Sequence, residues 1–236
     1  MKDFIVYAHR GASEYCPENT LLSFYTGVYM RANGIETDVQ RTKDGTLVLF
    51  HDANIKRMTG VDCEVKDIDY KELHSLPLTT DGRTDYVITL EEFLERFGKF
   101  DLTFAIELKG PGVEAETAEL IHKYGVADKV VATSFQYDYL TEFKKHAPEI
   151  RLGYLALGGK IDDELLERMK ADGIGEICPR ATDVTVENVE RWHSQGFNVR
   201  AWGVADEELM RRVYDSGCDG TTVNFPDKFI RYIASK

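Results

Sequence analysis

The chain has 236 residues, 43% of them hydrophobic, so it is long enough for one domain with an ordinary core and does not require a second. Its formal net charge of -12 argues against binding to long nucleic acids, which select clusters of lysine and arginine. No run approaches the roughly 20 apolar residues of a membrane helix, so we do not expect stable insertion into a bilayer.

The N-terminal segment has an apolar stretch of only five residues, 4–8, whereas the apolar core of a signal peptide has about 7 residues or more. We therefore expect a cytoplasmic protein. The cysteines Cys16, Cys63, Cys178 and Cys218 are widely separated and show no spacing typical of a metal site. Free thiols are the expectation for a chain in that compartment.

Short apolar or β-branched runs predict eight β-strands. They span residues 4–8, 35–40, 104–109, 130–134, 151–155, 176–179, 198–202 and 220–223. Segments with helical periodicity separate most of them; the first has one face formed by Leu21, Phe24, Tyr25 and Val28, with Pro17 expected at its start and Gly34 at its end. This alternation favours a parallel sheet closed into a (β/α)8 barrel, and an open doubly wound sheet is the alternative.

One interval departs from the alternation of strands and helices. Residues 42–46 predict a tight turn, and residues 47–51 predict a ninth extended run that returns antiparallel to the second strand. Residues from about 53 to 83 are polar and rich in turn formers, and a helix resumes at 89–97. We therefore predict a single domain, residues 1–236, with a small insertion over the barrel mouth.

Polar residues follow several of the apolar runs, and in such barrels the active site lies at the C-terminal ends of the strands. Because strand side chains alternate, Glu36 and Asp38 share one face, as do Glu107 and Lys109. Two unit charges about 4 Å apart repel by roughly 4 kcal/mol at an effective dielectric near 20, so three converging carboxylates would require a cation. Ordinary salt bridges at a strand end are the alternative interpretation.

Ligands that are all oxygen favour Mg²⁺, Ca²⁺ or Mn²⁺, and the sequence does not choose among these ions. With one divalent ion, the cations Arg10 and Lys109 would leave the site with a net charge of about +1, which complements a phosphodiester. His9 and His51 stand at strand ends, and an imidazole that titrates near ~6.5 suits general acid and base catalysis. A structural role is expected for the remaining histidines, which are His74, His122, His146 and His193.

Five ordered motifs resemble the signature of the glycerophosphodiester phosphodiesterases, in their bacterial cytoplasmic form. They are His-Arg-Gly-Ala-Ser at 9–13, Pro-Glu-Asn-Thr at 17–20, Glu-Thr-Asp-Val at 36–39, Thr-Lys-Asp-Gly at 42–45 and His-Asp at 51–52. Further likeness at 89–92, 106–109, 134–135 and 219–220 extends the resemblance over nearly the whole chain.

The resemblance implies a (β/α)8 barrel with a small insertion after the second strand. It also implies hydrolysis of small-molecule glycerophosphodiesters to glycerol 3-phosphate and an alcohol, within glycerol and lipid metabolism. The implied roles are acid and base for His9 and His51, metal ligands for Glu36, Asp38 and Glu107, and phosphate contacts for Arg10 and Lys109.

The sequence departs from the family pattern after Trp202. Family members usually continue with Thr-Val-Asn, whereas this chain has Gly203, Val204 and Ala205. The resemblance implies that Trp202 packs against the glycerol carbons of the substrate, and a core tryptophan is the alternative. Loss of the threonine and asparagine side chains is expected to widen the pocket, which leaves the identity of the alcohol open.

Several alternatives remain open at the level of sequence. The nucleophile is water or the neighbouring glycerol hydroxyl. Attack by that hydroxyl would form a cyclic phosphate, and either histidine can be the base.

A lysophospholipase D or sphingomyelinase-type enzyme would use the same residues on a lipid-tailed diester, and an extended apolar rim would favour it. A non-catalytic phosphate-binding barrel would have lost a histidine or a metal ligand. The sequence predicts neither the head group nor the oligomeric state.

Overall fold

The computed structural model describes residues 4–157 and 161–236. Its strands are β1 (Ile5–His9), β2 (Gly34–Arg41), β3 (Leu47–Leu49), β4 (Leu78–Thr80), β5 (Arg83–Asp85), β6 (Thr103–Leu108), β7 (Val130–Ser134), β8 (Arg151–Leu155), β9 (Glu176–Cys178), β10 (Asn198–Val204) and β11 (Gly220–Val223). Its helices are α1 (Leu21–Tyr29), α2 (Lys56–Thr59), α3 (Tyr70–Ser75), α4 (Leu90–Phe97), α5 (Glu114–Lys123), α6 (Tyr137–His146), α7 (Asp163–Ala171), α8 (Val186–Ser194), α9 (Glu207–Asp215) and α10 (Pro226–Ala234).

Within the described residues, the eight parallel strands β1, β2 and β6 to β11 form a closed barrel. Strand β1 pairs with β11 on one side and with β2 on the other, and the remaining strands follow in chain order. The prediction of a (β/α)8 barrel is thus confirmed, and the open doubly wound alternative is wrong because no free edge separates β1 from β11. None of the helices in the described parts of the chain has the length and hydrophobicity needed to cross a bilayer.

The predicted strands coincide with the barrel strands to within two residues. Residues 130–134, 151–155 and 220–223 match β7, β8 and β11 at both ends. The largest difference is at β10, which continues to Val204 because its pairing with β11 resumes there after a register shift. Local side-chain pattern therefore located every strand of the barrel.

The predicted limits of the first helix, Pro17 and Gly34, were wrong. Helix α1 begins after Thr20, whose hydroxyl accepts from the Ser23 amide in a capping box, and Asn19 has a left-handed φ of 56° that no helix would accommodate. Gly34 instead begins β2, where a Cβ atom would lie 2.6 Å from the Tyr7 ring. Residues 17–19 are consequently a loop at the barrel mouth.

The chain between β2 and α4 contains more regular structure than its polar sequence predicted. Strand β3 pairs antiparallel with the end of β2, as expected for the return arm. Beyond it, α2, α3 and the β4–β5 hairpin enclose a small core of their own. That core consists of Val48, Phe50, Ile55, Val65, Ile68, Leu73, Leu78 and Val87.

The barrel interior contains one buried ion pair below the mouth. The Arg200 side chain is 2% exposed, its Nε donates to Glu176 Oε1 at 2.7 Å, and its guanidinium lies 5.2 Å from the Tyr7 ring centroid. Cys178 Sγ accepts from the same guanidinium at 3.3 Å. Removal of one partner from such a pair leaves an uncompensated buried charge.

We therefore expect Glu176→Ala to lower the free energy of unfolding by about 3 to 5 kcal/mol, measured by urea denaturation. The double variant Glu176→Leu/Arg200→Met should recover most of that loss because it removes both charges and keeps the volume. Glu190→Ala, at an exposed position on α8, is the control and should change stability by less than about 0.5 kcal/mol. Equal destabilisation by the single and double variants would contradict this account.

Candidate active site

The C-terminal mouth of the barrel brings together all the residues that the sequence singled out. A cavity of about 220 Å³ is lined by His9, Arg10, Glu36, His51, Glu107 and Trp202, together with Thr133, Phe135, Leu155, Arg200, Gly203 and Thr222. Asp38 and Lys109 contact residues of this lining: Lys109 Nζ lies 3.0 Å from Glu107 Oε1 and 3.8 Å from Asp38 Oδ1, and Asp38 Oδ2 lies 3.2 Å from Arg10 Nε. The cavity is therefore the candidate site.

Three carboxylates converge below the mouth because of strand register. Asp38 lies directly beside Glu107 in the β2–β6 pairing, and Glu36 lies two residues earlier on the same face of β2. All three side chains are buried, and one carboxylate oxygen from each lies within 4.8 Å of the others. The alternation along β2 and β6 predicted this cluster correctly.

The cluster has the properties of a site for a hard divalent cation. Burial, followed by repulsion from neighbouring carboxylates, raises the pKa of Glu36 well above its ordinary range and that of Glu107 to about 7. Asp38 Oδ1 is buried and has no hydrogen-bond partner among the described residues. Salt bridges to Arg10 and Lys109 are present but leave this oxygen unsatisfied. The three residues thus fit Mg²⁺, Ca²⁺ or Mn²⁺, which prefer oxygen ligands.

Arg10 and Lys109 flank the carboxylates on two sides. Arg10 has a left-handed φ of 54°, and its amide donates to the Glu36 carbonyl oxygen at 2.9 Å, so the turn after β1 aims its side chain across Asp38. The distance from Arg10 Nε to Asp38 Oδ2 is 3.2 Å. Burial would raise the pKa of Asp38, but the charges of Arg10 and Lys109 outweigh burial and lower it. Asp38 is therefore held ionised.

His9 is oriented by a residue from the far end of the chain. Its Nδ1 lies 2.6 Å from Asn224 Oδ1, and since an amide oxygen only accepts, Nδ1 donates this hydrogen bond. Desolvation in the cavity, followed by the charge of Arg10, lowers the pKa of His9 to about 4. The ring is then neutral near pH 7, with a lone pair on Nε2, which lies 3.9 Å from Glu36 Oε2.

His51 follows β3 and is oriented by its neighbour in sequence. Its Nδ1 lies 2.6 Å from Asp52 Oδ1. Burial would raise the pKa of Asp52, but hydrogen bonds from Arg57 and His51 outweigh it and lower the pKa to about 2. Asp52 is therefore an ionised acceptor that fixes His51 Nδ1 as a donor and leaves Nε2 for the cavity.

Apolar side chains form the remaining wall. Trp202 is half-buried, its Nε1 donates to the Ala156 carbonyl oxygen at 3.2 Å, and its ring meets Phe135 edge-to-face at 5.1 Å between centroids. Trp202 thus lies on the cavity wall, so the alternative of a core tryptophan was wrong, and its contact with the glycerol carbons stays a prediction. Of the residues that depart from the family pattern, Gly203 lines the cavity and Val204 is buried beside it.

Sequence reasoning missed several residues that orient the site. Asn224 and Phe135 follow strands β11 and β7, so their places at strand ends could have identified them. Asn19, which donates to Asp38 Oδ2 at 2.9 Å, and Glu18, which accepts from Arg10 at 3.0 Å, belong to a motif that was noted but given no role. Arg57 had no sequence signal, because it lies in the segment that was predicted to be a polar insertion.

Comparison with known proteins identifies relatives that match this chain over most of its length. A profile of the Glycerophosphoryl diester phosphodiesterase family matches residues 9–228. The chain is 32% identical to a glycerophosphodiester phosphodiesterase of Caldanaerobacter subterraneus subsp. tengcongensis, with 97% of each chain covered. It is 33% identical to a glycerophosphodiester phosphodiesterase of Bacillus altitudinis, with 96% of each covered.

Among solved structures, an Oleispira antarctica phosphodiesterase in complex with the product sn-glycerol-3-phosphate has a TM-score of 0.88 and 28% identity. The match covers 98% of this chain and 96% of that one. The similarity therefore extends over the barrel and the mouth together.

Proposed function

Because the chain belongs to the glycerophosphoryl diester phosphodiesterase family and is a phosphoric diester hydrolase, we propose that it uses a divalent cation and two histidines to release glycerol 3-phosphate from glycerophosphodiesters. One observation carries the proposal. The buried carboxylates with the unsatisfied Asp38 Oδ1 lie in the same mouth as two separately oriented histidines. The product bound to the Oleispira relative supports the choice of substrate.

The carboxylates of Glu36, Asp38 and Glu107 would hold the cation. When bound, the cation supplies positive charge that polarises a phosphoryl oxygen. Arg10 presents a planar fork that suits two phosphate oxygens, and Lys109 presents a point charge. The carboxylates that they contact hold both side chains in place. Arg10 and Lys109 would therefore stabilise the charge that develops on the phosphoryl oxygens without a large movement.

We assign the base to His9 and the acid to His51. The lone pair on His9 Nε2 can accept the proton of the attacking hydroxyl group, whether that group is water or the neighbouring glycerol hydroxyl. The proton on His51 Nε2 can pass to the oxygen of the leaving alcohol. Asp52 would stabilise the positive charge on His51 while the ring carries that proton, as the carboxylate does in other carboxylate–histidine pairs.

The apolar wall supports a small alcohol and a glycerol backbone. Trp202 is proposed to pack against the glycerol carbons, with its indole fixed by Ala156. Phe135 and Leu155 complete this wall among the described residues. A cytoplasmic location and a role in lipid and glycerol metabolism stay predictions of the sequence.

The proposal is tested by a substrate panel. We expect release of glycerol 3-phosphate from glycerophosphocholine, glycerophosphoethanolamine or glycerophosphoglycerol in the presence of Mg²⁺ or Ca²⁺, and no release of choline from lysophosphatidylcholine. Enzymatic detection of glycerol 3-phosphate distinguishes this product from choline phosphate and from lysophosphatidic acid. Turnover of the lysolipid alone would replace the proposal with the lysophospholipase D alternative.

A further inference from the structure

A continuous chain of charged side chains joins the arginine at the phosphate to the histidine at the leaving group. It runs Arg10, Glu18, Arg57, Asp52, His51, and we call it the Arg57 bridge. We propose that Arg57 is a positioning residue that fixes Arg10 and His51 relative to each other through the two carboxylates. This inference rests on the proposed function, since it gives Arg57 a purpose in the same reaction.

The first half of the Arg57 bridge is a two-point pairing. Arg57 Nη2 donates to Glu18 Oε1 at 2.6 Å, and Nη1 donates to Glu18 Oε2 at 3.1 Å. Glu18 Oε1 also accepts from Arg10 Nη1 at 3.0 Å. Burial would raise the pKa of Glu18, but the hydrogen bond from Arg57 and the charge of Arg10 outweigh it and lower the pKa. Glu18 is thus an ionised carboxylate shared by two guanidinium groups.

The second half reaches the proposed acid. Arg57 Nε donates to Asp52 Oδ2 at 2.5 Å, and the other oxygen of Asp52 lies 2.6 Å from His51 Nδ1. Arg57 therefore fixes one oxygen of Asp52, and His51 contacts the other. Without Arg57, Oδ2 would lose its charged partner, and the carboxylate would be free to rotate away from the imidazole. The ring would then lose the group that sets its orientation and tautomer.

Arg57 contributes little to the stability of the fold by comparison. Its side chain is 48% exposed, and exposed ion pairs typically add about 0 to 1 kcal/mol. The backbone around it is held independently, since the Ile55 amide donates to the Cys63 carbonyl oxygen, the Val65 amide donates to that of Ala53, and Ile55 is fully buried. A role in positioning catalytic groups explains the paired contacts better than a role in folding.

The chemistry of the bridge requires arginine. Arg57 uses Nε, Nη1 and Nη2 on two carboxylates at once, and this pairing depends on donors spread over a planar guanidinium, whereas a lysine ammonium has all its donors on one nitrogen. The neighbouring Lys56 offers a matched comparison, because it lies on the same helix, is exposed, and forms its ion pair with Asp62 at 2.8 Å. The two residues differ because the carboxylate partners of Arg57 also contact Arg10 and His51.

The test compares Arg57→Ala, Arg57→Lys and Lys56→Ala in steady-state turnover of glycerophosphocholine and of glycerophospho-p-nitrophenol, whose leaving group needs little protonation. We expect Arg57→Ala to lower kcat on glycerophosphocholine by roughly 10- to 100-fold, the scale of a misplaced catalytic group, with a smaller loss on the nitrophenyl diester. Arg57→Lys should recover only part of this loss. Lys56→Ala should keep both rates within about twofold, as a surface change away from the bridge.

Chemical rescue separates positioning from folding. Because Arg57 is half exposed, guanidinium ion added at tens of millimolar should raise kcat of Arg57→Ala several-fold, while sodium at equal ionic strength should not. A midpoint of thermal unfolding close to that of the wild type would accompany this rescue. Absence of rescue would overturn the positioning role, and an equal loss of rate on the two diesters would overturn the part of it that acts through His51.

The inference and the proposed function fail in different ways. If the wild-type protein does not hydrolyse any glycerophosphodiester of the panel, the proposed function fails. If the wild-type protein is active and Arg57→Ala retains its kcat within about twofold, only the Arg57 inference fails, because such a change is no larger than that of an ordinary surface substitution.

Discussion

Replacement of His51 by alanine is expected to lower kcat for glycerophosphocholine by about 10²- to 10⁴-fold, the usual contribution of a positioned general acid. The reason is the leaving group: an alkoxide departs poorly unless a proton reaches it, and His51 Nε2 is the donor that Asp52 orients toward the cavity. The measurement is single-substrate kinetics at saturating metal, with thermal unfolding to verify that the variant is folded.

The division of labour between the histidines is tested with glycerophospho-p-nitrophenol. On this diester, His51→Ala should lose far less activity, whereas His9→Ala should be impaired on both diesters because a base is still needed. His146→Ala is the matched control, since His146 pairs at the surface with Glu142 and should keep wild-type rates. If His9→Ala and His51→Ala exchange these behaviours, the two roles are reversed; if both retain near wild-type turnover, neither histidine is catalytic.

Removal of divalent ions is expected to abolish turnover and to lower the thermal stability of the protein. Without a cation, burial and mutual repulsion destabilise the charged forms of the three carboxylates, and Asp38 Oδ1 has no hydrogen-bond partner among the described residues. A cation present at about 100 times its dissociation constant adds about 2.7 kcal/mol of stability, which corresponds to roughly 5 to 10 °C for a chain of this size. Assays and thermal scans after dialysis against EDTA, with Mg²⁺ or Ca²⁺ restored, measure both effects.

Glu107→Gln gives a second view of the same site. The variant should lose activity and should no longer gain stability from added Mg²⁺ or Ca²⁺, because one ligand charge is missing. In metal-free buffer it should unfold at or above the temperature of the metal-free wild type, since the substitution removes a carboxylate whose charged form is destabilised by burial and by repulsion from Asp38. Glu91→Gln, at a surface carboxylate that pairs with Lys123, is the control. Activity that survives EDTA would rule out the cation.

The segment between β3 and α4 positions two of the residues on which these predictions depend, His51 and Arg57. Strand β3 pairs with β2 beyond the point where β1 ends. His51, which follows β3, therefore lines the same cavity as His9. The separate small core beyond β3 holds α2 in place, which presents Arg57 to Glu18 and Asp52. An addition to the barrel thereby supplies both the proposed acid and the groups that orient it.

The sequence alone determined the strands and the residues that end them. A strand places its side chains with a period of two, and this rule acts over a few residues, so the common face of Glu36 and Asp38 could be inferred without any partner. The placement of His9, His51 and Glu107 at the mouth followed from the same rule together with the barrel. The limits of α1 escaped this reasoning because the capping box of Thr20 and Ser23 took precedence over the preference of proline for helix starts.

Only the tertiary structure decided which groups orient the proposed catalytic residues. Asn224 reaches His9 across 215 positions of sequence, Arg57 reaches Glu18 across 39, and Arg200 meets Glu176 inside the barrel. These pairings depend on closure of the barrel and on the path of the chain over its mouth, and no local period encodes either. The sequence therefore determined which residues gather at the mouth, whereas the packing of distant segments decided how each one is held, because hydrogen-bond partners are selected by distance in space.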